Sequence, residues 1–378
     1  YESLTNMAVA AGGSGDDQGA GNVTINGGYF KGHESTLLAF KSSTLTVNDG
    51  TFEALNNAVV AGNGSTGLGG TTINIHGGTF IGKQGTPGCI ACGIYQPQTG
   101  VTTVDGGTWN IENGAGIVQR AGTVHISDSE WTMTGTSTGT VGDAQRQLGC
   151  YGVVMDTGAG YPNYADASII LSGVTMTSDA GIIDTTDKDG ITGTVTINSG
   201  NYNHDVQPYV GESKVCVGVV AGGYSVTNGT AADADSMETL QAVVNNADVN
   251  RINITAPFTL TQELQINRPI TVIGNDNKIE ISHQGKGITF LKDSVSTGIS
   301  IESTADNTDW HSAYGIQFYT AQHRIDGFKS SGGNAAALVN SANVKMEGTI
   351  DVSGNTFGGI EVSKGSAQGL SAGMLDIT

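Results

Sequence analysis

"VTINGGYF" occupies Val23–Phe30, "LTVNDGTF" occupies Leu45–Phe52, and "INIHGGTF" occupies Ile73–Phe80. The shared pattern is apolar–x–apolar–polar, then a glycine-containing pair, then a threonine or tyrosine and an aromatic residue. Alternation of apolar and polar residues over four or five positions is the pattern of a half-buried strand. The glycines mark a tight turn, because glycine accepts φ > 0 at little steric cost. The aromatic residue lies past the turn and fills the core from a second face.

Seven copies of the phrase follow one another. Their apolar triplets are Val23/Ile25/Phe30, Leu45/Val47/Phe52, Ile73/Ile75/Phe80, Thr102/Val104/Trp109, Val124/Ile126/Trp131, Ile169/Leu171/Met176 and Val195/Ile197/Tyr202. The third members are 22, 28, 29, 22, 45 and 26 residues apart, and the longest step contains the insertion "TGTSTGTVGDAQRQLG". Between the copies stands a second apolar phrase: "AVVAG" at Ala58, "CGIYQ" at Cys92, "AGIVQ" at Ala115, "YGVVM" at Tyr151 and "AGIID" at Ala180. Each repeat therefore holds at least two strands. A strand-only period of this length is too short for the ~40–45 residues of a propeller blade and matches a solenoid. The expected fold is all-β: a right-handed parallel β-helix in which like residues stack on like residues about 4.8 Å away. Phe30 to Tyr202 should form an internal ladder. The polar residues Asn26, Asn48, His76, Asp105, Ser127, Ser172 and Asn198 should stack along the axis.

The pattern breaks near residue 230. In "TAADADSMETLQAVVNNADVN", Met237, Leu240, Val243, Val244 and Ala247 share one helical face, and Asp235 or Ser236 can serve as N-cap. Short strands follow, then "KGITF", "YGIQF", "AALVN" and "GGIEV", starting 28, 22 and 22 residues apart from Lys286 onward. Two consecutive solenoids are expected, over 1–230 and 231–378, the second opened by a capping helix near 236–248. The helix followed by "INITAPFTLTQELQINRPITVIGNDNKIEI" resembles the capped start of pectin-lyase-like β-helix domains. The "NGGTF" coils resemble glycine-rich repeats in surface proteins of Gram-positive gut bacteria and in phage appendages. This resemblance spans nearly the whole chain and implies fold far more than activity, because such folds carry enzymes, adhesins and tailspikes alike.

The chain has 378 residues, 58 of them glycine, and a formal net charge of −19 from 16 basic and 35 acidic residues. The few cations are scattered, which excludes phosphate-rich nucleic acid and anionic membrane surface as partners. No apolar run reaches the ~18 residues of a membrane span. Both ends read as cut from the same pattern, so the expectation is a processed piece of a longer chain or assembly. Of four cysteines, Cys89, Cys92, Cys150 and Cys216, no second pair completes a zinc site for "CIAC". Isolated buried thiols are expected.

The window Ala305–Asp326 combines aromatic and ionisable groups most densely. Asp309, Trp310, His311, Tyr314, Tyr319, His323 and Arg324 are its candidate ligand-contacting residues, since aromatic faces stack on sugar rings and polar groups orient hydroxyls. "NTD" at Asn307–Asp309 resembles a polygalacturonase motif whose carboxylates act as acid and base. Here Trp310 stands where that family has glycine, "RID" at Arg324 lacks the family's lysine, and no paired Asp follows. Asp184, Asp187 and Asp189 form the closest carboxylate cluster and are the candidate Ca²⁺ ligands, because a hard cation needs converging oxygens. No cofactor is required. The expected function is a non-catalytic extracellular, cell-surface, adhesin-like protein that binds polysaccharide or host glycan or serves as a stalk. The alternatives are a polysaccharide lyase or glycoside hydrolase, and a phage tail or head-fibre protein on a virion.

Overall fold

The computed structural model describes residues 1–15, 18–62, 68–83, 92–136, 148–156, 166–187, 193–305 and 313–378, with no side-chain description for 186 and 187. The chain divides into two compact units, Tyr1–Gly211 and Glu212–Thr378. The change of pattern seen near residue 230 lies inside the second unit. Its first residues form an antiparallel hairpin, Lys214–Gly218 with Tyr224–Asn228.

The first unit is a parallel β-solenoid of three sheets. The first sheet stacks Val9–Ala11, Leu37–Ala39, Ala58–Gly62, Cys92–Gln96, Ile117–Gln119, Tyr151–Asp156 and Gly181–Asp187. The second sheet runs from Asn22–Ile25 to Gly193–Ile197 with seven strands, and the third includes Tyr29–Gly32 through Gly200–Tyr202. Each coil thus holds three strands where two were legible as phrases. Trp131 pairs in register with Met176, so the 45-residue step is a single coil.

The repeated phrase joins the second sheet to the third. Ile25, Val47, Ile75, Val104, Ile126, Leu171 and Ile197 are all buried. Gly28, Gly50, Gly78 and Gly107 then turn the chain with φ of 115°, 137°, 115° and 92°, values that L side chains rarely adopt. Beyond the turn the expected ladder forms. Ring centroids lie 5.5 Å apart for Phe30–Phe52, 5.1 Å for Phe52–Phe80, 3.9 Å for Phe80–Trp109 and 4.3 Å for Trp109–Trp131. Met176 and Tyr202 continue it in register. Each such stacked pair contributes about 0.5–1.5 kcal/mol beyond the area it buries. The polar stack hydrogen-bonds in part: Asn48 Nδ2 donates to Asn26 Oδ1 (2.7 Å), His76 Nδ1 meets Asp105 Oδ1 (2.9 Å), and Asn198 Nδ2 donates to Ser172 Oγ (3.3 Å).

The second phrase forms the first sheet. Its glycine makes room for the ladder. A Cβ on Gly93 would stand 2.9 Å from Trp131 and 2.6 Å from Gly116 O, and one on Gly116 would stand 2.5 Å from Gly152 O. These three glycines stack coil over coil, Gly93 against the indole rings, Gly116 against Met133 and Gly152 against Met176. Cys92, Cys150 and Cys216 are buried, and burial pushes the Cys92 thiol up. Cys89 lies outside the described residues.

After the hairpin and the strand Thr230–Ala234, the second unit forms the expected helix, Met237–Asn245. Ser236 is its N-cap: its hydroxyl accepts from Thr239 N, and the Thr239 side chain accepts from Ser236 N in return. Leu240 and Val244 are buried, with Met237 and Val243 packed beside them, while Ala247 falls beyond the last turn. Arg268 closes the other end. Its Nε donates to Val244 O (3.0 Å), its Nη2 to Val243 O (3.1 Å), and its Nη1 to Val249 O. The helix packs over Thr230–Ala234, Val249–Ile254 and Phe258–Leu260, the strands on either side of it in the chain. That position shields strand edges that would otherwise invite pairing.

Two sheets follow. The fourth sheet carries the long strands Ser294–Ser303, Gln322–Ser331 and Asn343–Asp351. Within each, a glycine of positive φ (Gly298 60°, Gly327 75°, Gly348 72°) bends the strand around a corner. The fifth sheet stacks Leu264–Ile266, Ile288–Phe290, Tyr314–Tyr319, Ala335–Asn340 and Gly358–Ser363. Ile288, Phe290, Ile316, Phe318, Ala337 and Val339 point from the fifth sheet into one core with the apolar residues of the fourth. No described helix is long and apolar enough to cross a membrane.

Candidate functional site

The window expected to contact ligand is divided by the coil. Asp309, Trp310 and His311 lie outside the described residues. Tyr314 and Tyr319 belong to a strand of the fifth sheet, and His323 and Arg324 to the next strand, on the fourth.

His323 and Arg324 are sequence neighbours, so strand alternation sends them to opposite faces. His323 pairs with Ser294 and Val344 on the inward row, beside Phe290 and Phe318. Its Nε2 is 2.7 Å from Thr320 O and its Nδ1 is 2.8 Å from Ser294 Oγ. The carbonyl can only accept, so Nε2 carries the proton and Nδ1 accepts from the serine hydroxyl. Burial pushes the imidazole down to about 4, against smaller opposing effects of Thr320 O and Asp293. It is a neutral core group.

Arg324 points outward and is covered. The hairpin lies over it: Nη2 donates to Gly223 O (3.1 Å), and the guanidinium stands 5.7 Å from the Tyr224 ring. Its Nε makes an ion pair with Glu347 at 3.6 Å, longer than a hydrogen bond. Gly218 N donates to Thr271 Oγ1 (2.9 Å), and Arg251 Nη1 donates to Cys216 O (3.1 Å), so the hairpin is pinned at three places. A cavity of about 170 Å³ remains beside it, walled by Val217, Val220, Pro269 and Val295, with Asp293 and Ser294 at its polar side. Both of those residues are engaged: Asp293 accepts from Gln322 N (3.0 Å) and Ser294 meets His323.

Tyr314 and Tyr319 remain with the outward face of the fifth sheet, where the register brings together residues that are far apart in sequence. One outward row reads Gln265, Thr289, Gln317, Leu338, Glu361, and a second reads Tyr319, Asn340, Ser363. Tyr314 Oη donates to Glu361 Oε2 at 2.5 Å. Burial, and then this hydrogen bond to a carboxylate, push the phenol well above its ordinary value, so it stays protonated and committed to Glu361. Thr289 Oγ1 donates to Glu263 Oε1 at 2.6 Å. Gln317 is only 5% exposed, and its Oε1 has no donor among the described residues. Asn340 Oδ1 is also buried with no donor among the described residues, beside Gly365 and the edge of the Tyr319 ring. Buried amide oxygens without a donor also occur among the described residues at Asn56, Asn57, Gln119 and Asn334, so this feature is not peculiar to the face. Glu361 and Tyr319 are half-buried and form the accessible edge.

Sequence reasoning picked out Tyr314 and Tyr319 and missed Gln317, Asn340, Glu361, Thr289 and Glu263. Only coil-to-coil register reveals them, although the spacing between "YGIQF" and "GGIEV" would have aligned Gln317 with Glu361 two coils on.

Of the candidate cation ligands, Asp184 is buried and stacks on Val154 in the outward row of the first sheet. The Asp187 side chain and all of Asp189 lie outside the description. Among the described residues, no three His, Cys, Asp or Glu side chains converge as a metal site.

No protein-family model, curated protein or solved structure matches the chain.

Proposed function

We propose that this chain is a non-catalytic, extracellular, adhesin-like β-solenoid protein that binds carbohydrate through the outward face of the fifth sheet. The observation that supports this reading is the half-buried edge of the fifth sheet, where Tyr319 and Glu361 are accessible and Glu361 is held by the Tyr314 hydroxyl. Sugars are dense in hydroxyl donors, and they bind where an aromatic surface adjoins a few fixed polar groups.

The geometry also favours binding over hydrolysis. General acid–base work on a glycosidic bond needs two carboxyls within about 5–10 Å. Glu263 precedes the first strand of the fifth sheet and Glu361 stands in its fifth, four coil rises apart, or roughly 19 Å. Each carboxylate already accepts a short hydrogen bond from a neighbouring hydroxyl. A stalk role accords with the outward rows of the second sheet, where Thr44 pairs with Thr72 and Thr24 with Thr46 to give a regular hydroxyl surface.

Incubation with a polysaccharide panel, followed by mass detection of products and by retention assays, tests the reading. Retention of one or more glycans without new oligosaccharides is expected. New oligosaccharides would make the protein an enzyme, and loss of all retention would leave only the stalk.

A further inference from the structure

We infer that Asn26 is a site of spontaneous covalent modification, deamidation through attack by Gly27, and that the neighbouring coil activates it. The chain has four Asn-Gly steps, at Asn26, Asn63, Asn113 and Asn228. Asn63 lies outside the described residues. The other three share a dipeptide and differ in structure. Asn113 is half-buried, its Oδ1 accepts from Thr136 N (3.1 Å), and Gly114 is buried. Asn228 ends the hairpin strand Tyr224–Asn228. Its Oδ1 accepts from Lys214 Nζ (2.6 Å), and Gly229 N already donates to Ser213 O (3.2 Å). Asn26, Gly27 and Gly28 are all exposed. Gly27 N has no acceptor among the described residues, and a Cβ on Gly27 would meet nothing within 4 Å. The attacking nitrogen is therefore open at Asn26 and enclosed or engaged at the other two.

The reaction balances with water as the only co-reactant. Gly27 N gives its proton to solvent base and bonds to Asn26 Cγ, and the carbonyl electron pair moves onto Oδ1. As that pair returns, Nδ2 takes a proton from water and leaves as ammonia. Water then opens the cyclic imide at either carbonyl, giving aspartate or its β-linked isomer. Asn48 Nδ2, from the next coil, donates to Asn26 Oδ1 at 2.7 Å. That oxygen is where negative charge develops, so the donor acts as one arm of an oxyanion hole. Asn48 itself is followed by Asp49, whose carboxylate accepts from Gly50 N (2.8 Å) and whose negative charge opposes deprotonation of its own amide. The β-linked product lengthens the backbone between Ile25, a core residue, and Phe30, the first rung of the aromatic ladder.

The full chain would be held in mildly alkaline buffer, folded and in urea, with the three sites followed by peptide mapping and β-linked aspartate counted by enzymatic methylation. In the folded chain Asn26 should convert at least tenfold faster than Asn113 or Asn228, and in urea the three rates should converge. Asn48→Ala and Asn48→Asp both remove the donor, and the second keeps the shape of the side chain as a guard against a folding effect. Each should slow Asn26 about tenfold in the folded chain, the rate equivalent of one net hydrogen bond, and leave its rate in urea unchanged. Gly27→Ala should suppress conversion at Asn26 in both conditions. Conversion of Asn26 in the folded chain no faster than at Asn113 or Asn228 would overturn the site. An unchanged or faster rate in both Asn48 variants would overturn the activation, because the hydrogen bond would then be restraining the amide. Undiminished conversion in Gly27→Ala would overturn the attack by Gly27 N.

Discussion

Single atoms separate residues that look alike in the sequence. Trp109 and Trp131 occupy the same ladder position and are both buried. Trp131 Nε1 donates to Ser129 Oγ at 2.8 Å, whereas Trp109 Nε1 has no acceptor among the described residues, since Gly107 stands where the other coil has serine. Replacement by phenylalanine leaves a cavity in both cases, but only in Trp131→Phe does it also break a hydrogen bond. Trp131→Phe should therefore be the more destabilising by about 1 kcal/mol, read from urea denaturation of the two variants. His323 carries a pH dependence of definite sign. Its folded value of about 4 lies below the ordinary 6.5, so the unfolded chain takes up the proton first as pH falls. Stability is complete above about pH 6.5, drains away between 6.5 and 4, and loses nothing more from this group below that. The full effect is about 3 kcal/mol. In His323→Gln, which keeps a donor and an acceptor, this part of the pH slope should vanish in denaturation curves taken from pH 7 to 4.

At the level of elements, the stacked glycines and the helix cap make the strongest demands. Gly116→Ala drives a methyl group to within 2.5 Å of Gly152 O and 3.1 Å of Met133 Sδ, whereas Gly19 has open space around it. The first change should cost about 1–3 kcal/mol and Gly19→Ala almost nothing, by thermal or chemical denaturation. Arg268 holds two carbonyls in the last turn of the capping helix, those of Val243 and Val244, and the Val249 carbonyl of the next strand with one planar group. Arg268→Ala should fray that end, with faster amide exchange at Val243–Asn245. Arg268→Lys should restore little, because an ammonium cannot match the fork. The helix and the ladder were legible in the sequence because both repeat at a simple period, 3.6 residues or one coil. The fate of Arg324 was not. Its cover is a hairpin whose Gly223 stands 101 residues earlier, and nothing local to "HRID" announces that contact. The inward turn of His323 could have been read from its parity with Ile325, a buried core residue. The Gln317–Asn340–Glu361 face needed the register of three coils at once.

On the scale of the whole molecule, two compact units predict more than one unfolding transition. Calorimetry at pH 7 and pH 4.5 should show at least two, with the one belonging to Glu212–Thr378 moving down at the lower pH by way of His323 and the corresponding shift missing in His323→Gln. A single transition at both values would mean the units melt together. The two units also differ optically. Trp109 and Trp131 lie 4.3 Å apart with their rings within 5° of parallel, and they account for two of the three tryptophans in the chain. Chromophores so close share their excited states, so the first unit carries its own near-ultraviolet exciton signal. That signal depends on coil spacing rather than on burial alone, and it would report a stretch or slip between neighbouring coils before any strand is lost, with no label attached.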